Sequence, residues 1–348
     1  MKALLLSEYR HLEIADVPIP QPGPDEVLVR VAACGICGSD VHGYDGSSGR
    51  RIPPLIMGHE AAGTAAVLGA GVEGLSEGDR ITFDSTVFCG TCRYCSRGEI
   101  NLCDKRRVLG VSCGDYRCAG AFAEYVAVPR HIVHHLPESL SFSEAAMLEA
   151  ASVALHAVSL SNIVRGQTAL VLGAGMIGLL TLQALRVAGC PSVYVADVDA
   201  SRLKLATSLG ANALLATGTD LVAQISALTD ERGVDVVVEA VGVDETVRTA
   251  IDCVGKGGTV TLVGNLSPEV RLPLQKVVTR QLRLQGSCAS AGEYPRAIEL
   301  VASGRIQVKP LITAVAPLEE GPRWFERLYS REPNLMKVIL TPGEAQPT

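Results

Sequence analysis

With 348 residues, 47% of them hydrophobic and 20% charged, the chain has apolar material for two cores rather than one. Its net charge of −6, with no basic run longer than Lys105-Arg106-Arg107, speaks against a nucleic-acid footprint. No apolar stretch reaches membrane-spanning length, and in MKALLLSEYRHLE charge interrupts the first apolar run too early for an export signal.

That opening, with Glu8, Arg10 and Glu13, is expected to form a first strand and its turn. EVLVRVAAC, AAGTAAVLG, GDRITF and AFAEYVAV follow as strand-like segments broken by Gly and Pro, which predicts an irregular β-rich domain. Within it, residues 89–103 read CGTCRYCSRGEINLC, so Cys89, Cys92, Cys95 and Cys103 fall at C-x2-C-x2-C-x7-C. Two-residue gaps let successive thiolates turn to one point, and the longer excursion returns a fourth to close a tetrahedron. Neighbours so spaced would be strained as disulfides. Eleven cysteines without an export signal point to a reducing cytoplasm, where thiols bind metal or stay free. The lobe reads as a closed, structural zinc site, with an iron–sulfur cluster or a redox dithiol as competing readings. Arg93, Arg97, Lys105 and Arg106 are placed to offset the sulfur charge. Cys34, Cys113, Cys118, Cys190, Cys253 and Cys288 have no repeated spacing and are expected to be small buried hydrophobes.

From Thr168 the pattern changes to TALVLGAGMIGLLTLQALRVAGCPSVYVADVD. A short apolar strand runs directly into Gly173, Gly175, Met176, Ile177 and Gly178 of a G-x-G-x-x-G, followed by an apolar-rich helix and a second strand. The glycines permit a tight turn, close approach of a pyrophosphate and close helix–strand packing, and the helix N-terminus offers N–H donors to phosphate. Asp197, nineteen residues past Gly178, can accept from the ribose hydroxyls and repel a 2′-phosphate, which favours NAD over NADP. Arg202 works the other way, since a nearby arginine tolerates that phosphate; Asp197 could also simply cap a turn with Asp199. ANALLA, VDVVVEAVG, GTVTLVGN and QLRLQGS continue as strands, with helices over 219–231 and 244–254, so a doubly wound parallel sheet is expected. Asp235 and Glu239 read as strand-end polar residues. After residue 295, two helices (YPRAIELVASG and around GPRWFERLYS) and a strand, MKVILTP, are expected to return to the first domain.

CGICGSDVH (34–42), MGHEAAG (57–63), the four-cysteine lobe and GAGMIG stand in an order that resembles the zinc-containing medium-chain dehydrogenases/reductases over essentially the whole chain. The resemblance implies an α/β fold: a GroES-like catalytic domain over 1–153 carrying the lobe at 89–103, a Rossmann NAD-binding domain over 154–294, and 295–348 back in the first. It implies a catalytic zinc on Cys37, His59 and Glu149, with Glu60 as a competing ligand, and so two zinc ions per chain. A glutamate at 149 is closer to the polyol enzymes (sorbitol, galactitol-phosphate and butanediol types) than to the alcohol dehydrogenases, which usually carry cysteine there. Ala150 departs from the Glu-Pro those enzymes usually show. Cys34 stays outside the metal site although it forms C-x-x-C with Cys37.

By the same resemblance, zinc is the Lewis acid that eases deprotonation of the alcohol, whose carbon then gives hydride to the nicotinamide. Ser39 matches the relay hydroxyl, His42 the relay imidazole, and Asp40 the carboxylate that orients His59. Tyr44 and Gly49-Arg50-Arg51 fall where substrate walls are expected, to contact polyol hydroxyls or a phosphate, or else they form a solvated loop. Each residue has a plainer alternative: Cys37 in a core, His59 a satisfied buried histidine, Glu149 at a helix N-terminus, His42 on an exposed loop, Asp40 in an Asx-turn. The whole implies NAD-dependent oxidation of a polyol or secondary alcohol to a ketone or ketose by a cytoplasmic homodimer or homotetramer, with no nucleic-acid or membrane partner. A threonine-type dehydrogenase and a non-catalytic dinucleotide-binding protein are the rivals.

Overall fold

The computed structural model describes residues 1–215 and 217–343, in two compact units. The first comprises Met1–Glu149, Tyr294–Ala302 and the described chain from Leu311 on; the second, Ala150–Glu293 and Ser303–Pro310. The division at Glu149/Ala150 falls four residues before the expected 153/154. Ser303–Pro310 groups with the second unit because Gln183 reaches it, accepting from the Gln307 backbone N–H at 2.7 Å and donating to its carbonyl at 3.1 Å. Ala216, the end of ANALLA, and residues 344–348 of the expected return segment lie outside the described residues.

In the first unit, Glu26–Gly35 is the spine of a seven-stranded sheet. It pairs antiparallel with Glu60–Leu68, Tyr125–Pro129 and Lys337–Thr341, and the last of these lies parallel to Ile312–Pro317. Nearly every residue of EVLVRVAACG is at least partly buried, because neighbours cover both faces. Gly63 has no Cβ because one would sit 2.0 Å from the Arg30 carbonyl oxygen, and the ladder slips register beside it. With that slip, the spine ends with Gly35 opposite Glu60 on one side and Ile339 on the other. Leu4, Leu6, Phe83, Phe122 and Phe325 fill the core.

The second unit is a six-stranded parallel sheet ordered Asn212–Leu214, Val193–Ala196, Ala169–Leu172, Val234–Glu239, Val254–Leu262 and Arg283–Gly286. ALVL and VYVA are buried throughout, as strands covered on both faces must be. The strand order reverses between Ala169–Leu172 and Val234–Glu239, the switch point where open α/β sheets take ligands at the strand ends. Among the described residues no helix is long and apolar enough to cross a membrane.

Within the first unit, the His134 ring stacks on Tyr294, centroids 5.2 Å apart and 12° from parallel. Burial and the charge of Arg130 push its pKa down to about 4. The folded protein therefore keeps His134 neutral while the unfolded chain takes up a proton near pH 6.5, so stability falls as the pH drops from 6.5 towards 4. Urea titrations at pH 7 and 4.5 are expected to show about 2 kcal/mol of that loss at most, absent in His134→Phe, which keeps the stack.

Candidate metal centre and dinucleotide site

Cys37 follows the end of the spine as N-cap of the helix Gly38–Tyr44: its sulfur accepts from the Ser39 N–H at 3.5 Å, and Asp40 Oδ2 accepts from the Cys37 N–H at 3.3 Å. His59 and Glu60 enter from the neighbouring strand, after a turn in which Gly58 sits at φ +93°. A Cβ on Gly58 would press on Phe122 at 2.8 Å and on the Cys34 sulfur at 2.9 Å. Cys34 is thus fully buried packing beneath that turn, and burial raises its pKa well above the ordinary thiol value.

Ligand atoms of Cys37, His59 and Glu60 all lie within 4.8 Å of one another. Glu149 is half-buried and outside that set; desolvation first, then the charges of Glu60 and Asp84, raise its pKa to about 7 against the opposing pull of His59. Thiolate, imidazole and carboxylate are the donor types zinc takes, three of them leave a coordination position open, and convergent buried anions call for a cation. The residues fit the metal.

The surroundings hold the imidazole in place. His59 Nδ1 lies 3.3 Å from Asp40 Oδ1, close enough for an ion pair though not aligned as a hydrogen bond, and Nε2 is 3.5 Å from Ser39 Oγ. Burial works against a charged His59, yet Asp40 and Cys37 raise its pKa well above the ordinary value. Asp40, wholly buried, would be raised by desolvation, but the charges of His59 and Arg51 bring it down to about 2. Arg51 donates Nη2 to Asp40 Oδ1 and to Ser39 Oγ, both at 3.2 Å. Its stem crosses Gly43, where a Cβ would lie 2.0 Å from Arg51 Cγ.

Two expected substrate walls are corrected by this packing. Arg51 is 5% exposed and consumed by Asp40 and Ser39. Tyr44 is buried, with its hydroxyl on the Arg10 carbonyl at 2.8 Å and on Glu326. Arg50 and His42 are exposed. Lys337 is the residue that sequence reasoning missed. It is 3% exposed, donating to Glu60 Oε2 at 2.5 Å and to the Ile36 carbonyl at 3.1 Å, and the Glu60 charge overrides burial and raises its pKa. The available signal was one charge inside the apolar closing strand.

In the lobe, ligand atoms of Cys89, Cys92, Cys95 and Cys103 also lie within 4.8 Å of one another, and all four are free thiols. Two of the expected arginines turn elsewhere: Arg97 pairs with Glu99 at 2.7 Å and Arg93 bonds the Tyr94 hydroxyl at 2.9 Å. Backbone N–H groups face the sulfurs instead, those of Cys89 and Lys105 each 3.3 Å from Cys103 Sγ. Backbone and side-chain donation from Thr91 brings Cys89 down to about 6, whereas desolvation and the neighbouring sulfurs push Cys95 up to about 12. Four thiolates cannot ionise together without a cation among them. Of the cysteines expected to be buried, Cys34, Cys190 and Cys253 are; Cys113 and Cys118 are partly exposed and Cys288 is exposed.

The three glycines of the second unit's loop serve different needs. Gly173 has φ +96° and would carry a Cβ 2.7 Å from Val241; a Cβ on Gly178 would lie 1.8 Å from the Gly173 carbonyl oxygen; Gly175, N-cap of the helix Met176–Ala188, faces open space. Met176 and Ile177 form the first helical turn. Asp197 accepts from the Ala174 N–H at 2.6 Å and from the Asp199 N–H at 2.9 Å, so it braces the loop and caps the turn. Arg202 is drawn to Asp199, with Nε 3.6 Å from Oδ2. Buried Glu239 anchors the adjoining turn, accepting from Val241 and Gly242 N–H at 2.9 and 2.8 Å.

Residues 23–138 match the alcohol dehydrogenase GroES-like domain and residues 177–303 the zinc-binding dehydrogenase. The chain is similar to the sorbitol dehydrogenase of Bacillus subtilis (strain 168), 34% identical over 348 residues that cover 99% of this chain and 98% of that one. Among solved structures it is similar to a Sinorhizobium meliloti 1021 protein described as a zinc-binding dehydrogenase bound to NADP, with 36% identity, a TM-score of 0.89 and coverage of 98% and 99%. The galactitol-1-phosphate dehydrogenase of Escherichia coli shares 29% identity at a TM-score of 0.90, covering 98% of this chain and 100% of that one.

A cation that holds the lobe's four sulfurs contributes to folding directly. Cys92→Ser is expected to lose one zinc per chain and to melt at a lower temperature; elemental analysis and a thermal scan read both, and unchanged values would remove the structural zinc.

Proposed function

Because the chain belongs to the zinc-binding alcohol dehydrogenase family, we propose that it oxidises a polyol or secondary alcohol with NAD, giving a ketose or ketone. The convergence of Cys37, His59 and Glu60 carries this reading, supported by the glycine loop at the sheet's switch point. Two zinc ions per chain are proposed, a closed one in the cysteine lobe and an open one on Cys37, His59 and a carboxylate. Glu60 is the carboxylate the donor cluster favours as direct ligand, with half-buried Glu149 as its alternate. Zinc bound there supplies a Lewis acid for the substrate hydroxyl.

The chain's own groups do the rest. Asp40 holds the imidazole of His59 in one orientation, so that the ring's other nitrogen is presented steadily. Ser39 Oγ accepts the substrate hydroxyl proton as its own proton passes on toward His42; the Arg51 guanidinium on that oxygen fixes its position. His42, on the same helix and exposed, passes the proton to water. Gly173, Gly175 and Gly178 would let the pyrophosphate of a dinucleotide reach the N-terminus of Met176–Ala188, and its nicotinamide would supply the hydride acceptor. A homodimer or homotetramer is supported by the edge strand Arg283–Gly286 and by exposed Leu274 and Val278 near it in sequence. A cytoplasmic setting is supported by eleven cysteines, none of them in a disulfide.

Cys37→Ser is expected to abolish turnover and remove the second zinc while NAD binding and the fold persist; near-normal activity would overturn the reading. NAD reduction measured across polyols, sugar phosphates, diols and threonine identifies the substrate class and separates a threonine-type enzyme from a polyol one. The relative solved with NADP favours a second reading of the cofactor, which Asp197 opposes by its charge and Arg202 does not relieve while it is paired with Asp199. Asp197→Ser is expected to cut the NAD over NADP preference in kcat/KM by at least about tenfold; a wild-type preference for NADP would reverse the assignment.

A further inference from the structure

We propose that Lys337 is a resident counter-cation of the metal centre: a positioning residue that holds Glu60 when the metal is away and limits how tightly the metal is held once bound. The inference rests on the reading of Cys37, His59 and Glu60 as ligands of that metal. Lys337 Nζ lies 2.5 Å from Glu60 Oε2 and 3.1 Å from the carbonyl of Ile36, the residue before Cys37. Both charged side chains are almost wholly buried, at 3% and 2% exposure. The closing strand delivers the ammonium by its register, with Ile339 opposite Gly35 and Leu340 opposite Cys34. Gly35 makes the slot: a Cβ there would stand 2.3 Å from Glu60 Oε2 and 3.4 Å from Lys337 Cδ.

A buried carboxylate or ammonium left alone is costly, so in the metal-free protein each needs the other. A divalent cation bound there would share the Glu60 carboxylate with Lys337, and the ammonium would repel it. Removing the ammonium therefore acts in one direction at both ends. The metal-free state loses the partner of Glu60, and the metal-bound state loses a repulsion. The metal should bind more tightly even though the protein has lost an ion pair. A lysine that only braced the fold would do the opposite, since its loss would loosen the site and let the metal go.

The test titrates zinc retained per chain against a competing chelator in wild type, Lys337→Met and Cys37→Ser, the zinc missing from Cys37→Ser marking the site. In Lys337→Met that zinc is expected to withstand on the order of tenfold more chelator. The metal-free variant should melt below metal-free wild type, with a wider gap between its metal-free and zinc-bound melting temperatures. Lys337→Gln, which keeps a donor for the Ile36 carbonyl, gives the same shift and is read instead if the methionine variant does not fold. Unchanged or weaker retention overturns the role of Lys337 and leaves the ligand reading standing. Wild type that holds only the lobe zinc overturns the ligand reading and the inference together.

Discussion

Acidic and sulfur groups buried side by side need positive charge, and that constraint organises the first unit. Cys37, His59 and Glu60 converge with Asp40 beneath them, all but Cys37 buried. In the polypeptide the compensation comes from Arg51 on Asp40 and Lys337 on Glu60, each nearly buried and each with a glycine opposite its stem or its partner. Attraction between such charges in a poorly polarisable interior is strong only while every member keeps its partner. The arrangement is therefore rigid, and a rigid arrangement keeps three donors aimed at one point with a place left open.

The cysteine lobe meets the same demand differently. Backbone N–H groups of Cys89 and Lys105 point at one of its sulfurs, and the thiols divide, Cys89 and Cys92 lowered and Cys95 raised. Partial charges of the backbone cannot carry four thiolates, so four ionised sulfurs there would need a metal more completely than Glu60 does. One site is pre-balanced by the fold, as an open centre for chemistry would need; the other would be completed only by an ion, as a brace would be.

The second unit handles charge with geometry rather than with buried cations. Its loop clears space by glycine and presents a helix N-terminus, and its two carboxylates are spent on N–H groups. Asp197 accepts from Ala174 and Asp199, and Glu239 from Val241 and Gly242. Turns pinned by carboxylates at both central strand ends leave the crevice between them defined by backbone.

Much of this was legible along the chain. Strand, glycine loop, helix and acid lie within thirty residues or so, and the lobe's cysteines within fifteen, so local spacing carries their geometry. Cys37 and His59 stood in the motif order that the resemblance rests on, Cys37 being held by Ser39 and Asp40 a few residues away. Lys337 could not be read, because it meets Glu60 across 277 positions and only the register of the closing strand on Gly35 brings the two together. Arg51 and Tyr44, open between substrate wall and solvated loop, proved to be neither for a similar reason: whether a side chain in a glycine-rich segment faces solvent or Asp40 depends on space left at Gly43 and on Glu326 arriving from a distant helix. Sequence determined which elements and donors this protein has, since hydrophobic period and short-range spacing act through adjacent bonds. Tertiary structure decided which charges end up paired, since that depends on strands far apart in the chain closing on one buried point.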